Sequence, residues 1–217
     1  ADKQRMIAGT KNDSLNPDTV FDNEISRIMT NNHLRGIPIT EKQIENELNL
    51  DTAFDFYKNR FSSANGFTFI FVGSFDLQKL KELSKKYLGT LPSNQTEKSD
   101  WKDIGLRRIT GVHKNTILKG NENKSKVDIR YTGTLDYTLE KELSISLLGD
   151  LLKIKLTEEL RESMSGVYGV QASGYSTDTP YNWYRMHIRF TCAPENRDVL
   201  INKVHEVIAD IKKKGAS

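Results

Sequence analysis

The sequence predicts an α+β domain built on a mostly antiparallel sheet with helices packed on one face. Three observations carry this expectation. Apolar and polar residues alternate strictly in two stretches, at 127–131 and at 184–192, as half-buried strands require. Apolar residues recur every three to four positions at 77–87, 139–162 and 199–211, the period of helices with one buried side. The strand-like stretches come in neighbouring pairs instead of alternating singly with helices, which favours antiparallel pairing.

The elements follow in order. Residues 1–38 are polar and weakly patterned, with Phe21, Ile25 and Ile28 suggesting one amphipathic helix, so they read as a helical linker ahead of a domain at 39–217. Thr40 with Gln43 fits a capping box, and Ile44 and Leu48 give the helix behind it a short apolar side. Asp51 is placed to cap a helix carrying Ala53, Phe54, Tyr57 and Phe61. Residues 67–72 form a compact aromatic and β-branched run, expected as a buried strand. Asp76 caps a helix with Leu77, Leu80, Leu83 and Tyr87, stopped by Gly89 and Pro92. Residues 93–112 read as a polar excursion anchored by Trp101, and 114–119 as a further strand. The longest helix, 139–162, is expected to seat Leu139, Leu143, Leu147, Leu151 and Leu152 in the core. A strand at 167–175, a turn at Pro180, the strand ending at Cys192 and a last helix led by Pro194 complete the chain. In that helix Val199, Lys203, Val204, Val207, Ile208 and Ile211 share a side.

Composition narrows function. The 217 residues carry 32 basic and 29 acidic side chains, a net charge of +3 with no concentrated basic tract, which argues against nucleic acid as partner. The run Lys212-Lys213-Lys214 is the favourable charge of a helix C-terminus. No apolar run has the ~20 residues of a membrane span, and the opening Ala1-Asp2-Lys3 resembles no signal peptide. The chain begins without Met and reads as an excised or processed piece. Its single cysteine, Cys192, excludes an internal disulfide and, lying in an apolar strand face, reads as a buried inert thiol.

Hydrolytic motifs are missing. The histidines are His33, His113, His187 and His205, and none has the second His and the Glu that a zinc-protease helix needs on one face, in either order. Ser163 and Ser165 lack a paired base, and Glu158, Glu159 and Glu162 read as a solvated helix end. The informative stretch is 160–170. Arg161 closes the long helix and Tyr168 opens a strand, with Gly166 and Gly169 beside them. A glycine turn between helix end and strand start can bring a guanidinium and a phenol together as donors to one carbonyl, with the glycines allowing another backbone to approach. The same spacing also suits a buried aromatic and an Arg that satisfies its own helix end.

Several motifs resemble one family. Tyr57-Lys58-Asn59-Arg60-Phe61, then the run from Phe67 through Val72-Gly73-Ser74-Phe75-Asp76, then Tyr87-Leu88-Gly89-Thr90-Leu91-Pro92 resemble the C-terminal domain of the M16 (pitrilysin/insulinase) metallopeptidases. Leu160-Arg161-Glu162 followed by Gly166-Val167-Tyr168 resembles that family's Leu-Arg-Glu…Gly-x-x-Tyr signature. The resemblance covers about residues 30–214. It implies an M16 or LuxS-like metalloenzyme type of fold. It also implies a zinc endopeptidase in which zinc is bound by another, N-terminal-type M16 domain on the same chain or a partner subunit. This chain, lacking the zinc motif, would be the non-catalytic half that closes over a peptide or small unfolded protein, with Arg161 and Tyr168 gripping the substrate backbone. Two other readings stay open: a catalytically dead assembly subunit, and a free-standing peptide-binding module.

Overall fold

A computed structural model describes residues 2–93 and 102–215. Contacts divide the chain into two compact units, one of residues Ala1–Asp13 with Ile39–Ile104, the other of Ser14–Pro38 with Gly105–Ser217. Residues 1–38 hold two helices where one was expected, α1 (Asp2–Leu15) and α2 (Pro17–Met29). Trp101, the expected anchor of the polar excursion, lies outside the described residues.

The first unit is helical. In α3 (Glu41–Glu47) the capping box forms in full: Gln43 N–H donates to Thr40 Oγ1 at 3.2 Å, and Thr40 N–H donates to Gln43 Oε1 at 3.0 Å. That turn seats Ile44 out of solvent. The cap of α4 (Leu50–Phe61) is Asn49, which accepts from Thr52 N–H at 2.9 Å, two residues before the expected Asp51. Asp51 instead sits in the first turn, where its charge suits the helix dipole. Asp76 caps α5 (Leu77–Tyr87) as predicted, and Gly89 N–H returns to Ser84 O at 2.9 Å to end it.

The apolar run 67–72 is not a buried strand. Its backbone joins no ladder among the described residues, and its side chains are open to solvent, Val72 at 94%. Phe67 and Phe69 instead extend a line of rings begun by Phe54, Tyr57 and Phe61, with centroids 4.8–6.4 Å apart. A strand needs a neighbour for its N–H and C=O groups. Composition supplies the apolar side chains but not the partner. Residues 114–119 fail as a strand for the same reason, and Leu118 is exposed.

The second unit carries the sheet: β1 (Ser125–Gly133), β2 (Val170–Thr177) and β3 (Trp183–Cys192), in the order β1-β3-β2, all antiparallel. Ile188 of β3 stands opposite both Ile129 and Ala172. One face of this sheet contributes Val127, Val170, Met186, Ile188, Phe190 and Cys192 to the core. Against it lie α6 (Leu139–Leu156) and α7 (Arg197–Lys214), entered through a short 3-10 turn at Pro194–Asn196.

In α6 a different side faces the core than period alone predicts, whereas α7 keeps most of its expected side and departs only at Val199 and Lys203. Leu139, Leu143 and Leu147 are exposed, Leu151 is half-buried, and the buried line of α6 is Gly149, Leu152 and Leu156. Leucines occur all round this helix, so the i, i+4 row does not single out one side. The choice falls to Gly149, whose missing side chain lets β2 approach: a Cβ there would stand 2.5 Å from Gly174 N. In α7 the buried line is Leu200, Val204 and Val207, with Ile208 and Ile211 packed beside it, while Val199 is exposed. Lys203 lies at the surface and pairs with Glu159 at 3.2 Å.

Candidate functional site

Beyond Leu156 the long helix loosens into one π-helical turn, Thr157–Ser163, where a regular helix to 162 was expected. Ser163 Oγ donates to Glu158 O at 3.0 Å and Met164 N–H to Glu159 O at 3.1 Å, both five residues back. Ser165 then takes the left-handed conformation at φ 51°, and Gly166 N–H closes the turn on Leu160 O at 2.9 Å. Gly166 packs on α7: a Cβ at this position would meet Leu200 Cδ2 at 2.7 Å. Gly169 has open space around its Cα, with no atom within 4 Å of the added Cβ position.

Two core residues pin this turn. Leu160 is fully buried and Val167 nearly so, and each is followed immediately by an exposed residue, Arg161 and Tyr168. Tyr168 is 96% exposed, which removes the reading of a buried aromatic. It precedes β2, which starts at Val170 and not at Val167. Among the described residues neither the Arg161 guanidinium nor the Tyr168 hydroxyl has a hydrogen-bond or ion-pair partner. The outer edge of β2, two residues further on, is likewise unpaired among the described strands.

The histidines are committed elsewhere. His33 Nδ1 accepts from Arg35 N–H, His113 Nε2 lies 2.8 Å from Thr110 O, and His205 Nδ1 lies 3.1 Å from the Tyr131 hydroxyl. Together with the missing His-x-x-Glu-His order, these positions do not fit a zinc site, and no cluster of three His, Cys, Asp or Glu suited to a metal occurs among the described residues. Cys192 is buried, and desolvation pushes its thiol up.

A polar constellation on the other face of the sheet escapes sequence reading. Asp128 of β1, with 3% of its side chain exposed, accepts from Arg130 Nε at 2.7 Å, from Arg189 Nη2 at 2.7 Å and from His187 Nε2 at 2.9 Å. Arg189 also reaches Asp22 of α2 at 2.7 Å. Burial alone would raise the Asp128 carboxyl. The hydrogen bonds from His187, Arg130 and Arg189 outweigh it and hold the group well below the ordinary carboxylate range. Along the same face Arg108 stacks over Trp183 at 4.4 Å and Arg107 over Tyr181 at 4.6 Å. The alternation of polar residues in β1 and β3 was legible, but the register that sets Asp128 opposite Arg189 was not.

A mostly antiparallel sheet with α6 and α7 on its core face is the fold the sequence predicts. The sequence model of the peptidase M16 inactive domain matches residues 47–217, and the chain belongs to that family. It is 26% identical over 160 residues to "Probable zinc protease PqqL" of Haemophilus influenzae, covering 73% of this chain and 17% of that protein. It is 29% identical over 178 residues to the protein of the same name in Escherichia coli, covering 80% and 19%. The crystal structure of the periplasmic protease PqqL from Escherichia coli superposes with a TM-score of 0.78 at 22% identity, over 96% of this chain and 23% of that one. The chain thus spans under a fifth of the length of the curated relatives it matches. Among the described residues no helix is long and apolar enough to cross a membrane.

Proposed function

We propose that this chain is the substrate-holding half of an M16 zinc endopeptidase. Residues 39–217 form the M16 domain and 1–38 connect it to what precedes. Zinc is carried by an N-terminal-type M16 domain elsewhere in the same chain or in a partner subunit, and the substrate is a peptide or small unfolded protein. The observation that carries the reading is the pair of exposed, unpartnered donors, Arg161 and Tyr168, each fixed by a buried neighbour. Guanidinium and phenol both donate to a peptide carbonyl and neither accepts strongly, so together they orient the chain and stabilise negative charge developing on the carbonyl oxygen. The open edge of β2 adds backbone donors and acceptors for an extended segment.

The test combines this chain with the zinc-bearing half and measures peptide cleavage. Arg161→Ala and Tyr168→Phe should each lower kcat/KM by a factor corresponding to about 2–4 kcal/mol, the scale of one lost oxyanion donor. Both positions are exposed, so the melting temperature should stay within about 2 °C of wild type. Unchanged kcat/KM in both variants would defeat the assignment and favour an assembly role. Peptide binding by this chain with no cleavage in the combined halves would favour a free-standing binding module.

A further inference from the structure

The guanidiniums on the polar sheet face outnumber the carboxylates that face them. Arg108, Arg130, Arg185 and Arg189 lie there with two carboxylates, Asp128 and Asp22. Both acids are spoken for: Asp128 by Arg130, Arg189 and His187, and Asp22 by Arg189 and Lys126. Neither Arg108 nor Arg185 is hydrogen-bonded or ion-paired to a carboxylate among the described residues, and only the more distant Asp128 attracts Arg185. Among the described residues Arg185 Nε is buried with no hydrogen-bond partner, and so is Oγ1 of Thr132, the residue paired with it across the sheet. Both guanidiniums are half-buried. Desolvation and then repulsion from Arg130 work against the charge of Arg185, with Asp128 and Tyr175 offsetting part of it; desolvation works against that of Arg108, partly offset by Tyr181, with repulsion from Arg185 and Arg130 behind it. An arginine keeps its charge in such a place, so among the described residues two guanidiniums lie near each other without a hydrogen-bonded carboxylate, one of them with a buried Nε–H that finds no acceptor.

We propose that Arg108 and Arg185, with Arg130 behind them, form a binding site for a carboxylate of an acidic peptide. The site rests on the peptide-holding reading only for the carrier of that carboxylate. A carboxylate supplies two coplanar acceptors, which match a guanidinium edge and can serve the Arg185 Nε–H. The stacking of Arg108 on Trp183 fixes its plane and leaves its edge free to donate. Arg185 pairs with Tyr175 of β2, one strand in from the open sheet edge. An extended peptide added at that edge would lie about 10 Å from β3, two strand spacings away, within reach of a Glu side chain meeting an Arg. Acidic residues in the substrate would therefore be held at a distance from Arg161 and Tyr168 and bias which peptides are taken.

Calorimetric titration of the 217-residue chain at low salt tests this with three probes: a capped tetraglutamate peptide, its glutamine counterpart and inorganic phosphate. Tetraglutamate should bind, the glutamine peptide should not, and Arg185→Gln and Arg108→Gln should each weaken tetraglutamate binding at least ~10-fold, the scale of one charge-assisted hydrogen bond. Arg185→Gln should melt at or above the wild-type temperature, because it relieves repulsion and removes a buried donor without an acceptor, whereas a merely structural arginine would lower it. The proposal is overturned if the two peptides bind alike, if phosphate binds and tetraglutamate does not, if wild type binds none of the three, or if both variants bind tetraglutamate as wild type does. The titration involves no cleavage and leaves Arg161 and Tyr168 intact, so its failure would not touch the cleavage prediction.

Discussion

Replacing Asp128 by alanine is expected to lower the unfolding free energy at neutral pH by about 3–5 kcal/mol, the range for removing one partner of a buried ion pair. Asp128 is the one carboxylate that Arg130, Arg189 and His187 share, and its side chain is 3% exposed. Its loss would take this acceptor from Arg130 and His187 and leave Arg189 with Asp22 alone, beside Arg185, whose Nε finds no acceptor among the described residues. Asp128→Asn should fall between wild type and alanine, because one amide oxygen still accepts. The pH dependence follows from the depressed folded carboxyl. A group held below its unfolded value near 3.9 stabilises the fold fully above that pH and loses the contribution as pH falls towards the folded value. Urea unfolding at a series of pH values should therefore show a wild-type advantage over Asp128→Ala that is constant near neutrality and closes on acidification below about pH 4. An advantage that persists unchanged at pH 3 would mean that Asp128 acts through packing, not charge.

The parts of the molecule that were legible in its sequence are those fixed by neighbours along the chain. The Thr40/Gln43 box, the Asp76 cap and the alternation of β1 and β3 each depend on residues within a few positions. Of the candidate segment only the outline was legible. Residues 160–168 mark a turn with a donor on each side, and its two anchors, Leu160 and Val167, are the apolar residues next to Arg161 and Tyr168. What escaped depends on distant partners. Residues 67–72 have the composition of a strand and no ladder among the described residues. The Asp128 constellation joins residues 61 positions apart through strand register. The π-helical turn at Thr157–Ser163 has no composition of its own, since any helix end rich in Glu and Leu could continue regularly. Family resemblance supplied roles for Arg161 and Tyr168 that spacing left open, and it offered nothing about Arg108 or Arg185.

Gly174→Ala should be comparably severe, although it adds a single methyl group. A Cβ on Gly174 would sit 1.9 Å from the Ile145 carbonyl oxygen and 2.6 Å from its carbon, and both are backbone atoms that no rotamer change can move. The helix and strand touch main chain to main chain here, since the added Cβ of Gly149 would in turn lie 2.9 Å from Ser173 Cα. A glycine inside a strand is otherwise a weakness of roughly 0.5–1 kcal/mol, so its presence at this contact fits a need for space. Alanine at 174 must lift α6 off β2 and loosen the core that Leu152 and Leu156 share with the sheet, an overpacking cost of about 3 kcal/mol or more. For a chain of this size that corresponds to a fall of roughly 6–12 °C in melting temperature. Gly149→Ala should cost less, because alanine gains about 1 kcal/mol of helix propensity against its own clash. The double variant should lose less than the sum, since one methyl already opens the seam that the second would occupy. Arg161 and Tyr168 lie in the segment that joins α6 to β2, so moving the helix away from the strand is expected to shift one donor against the other. Gly174→Ala should therefore lower kcat/KM with the zinc-bearing half at temperatures where the domain is still folded. A variant that melts with wild type, or that melts early yet cleaves normally while folded, would separate the seam from the spacing of Arg161 and Tyr168.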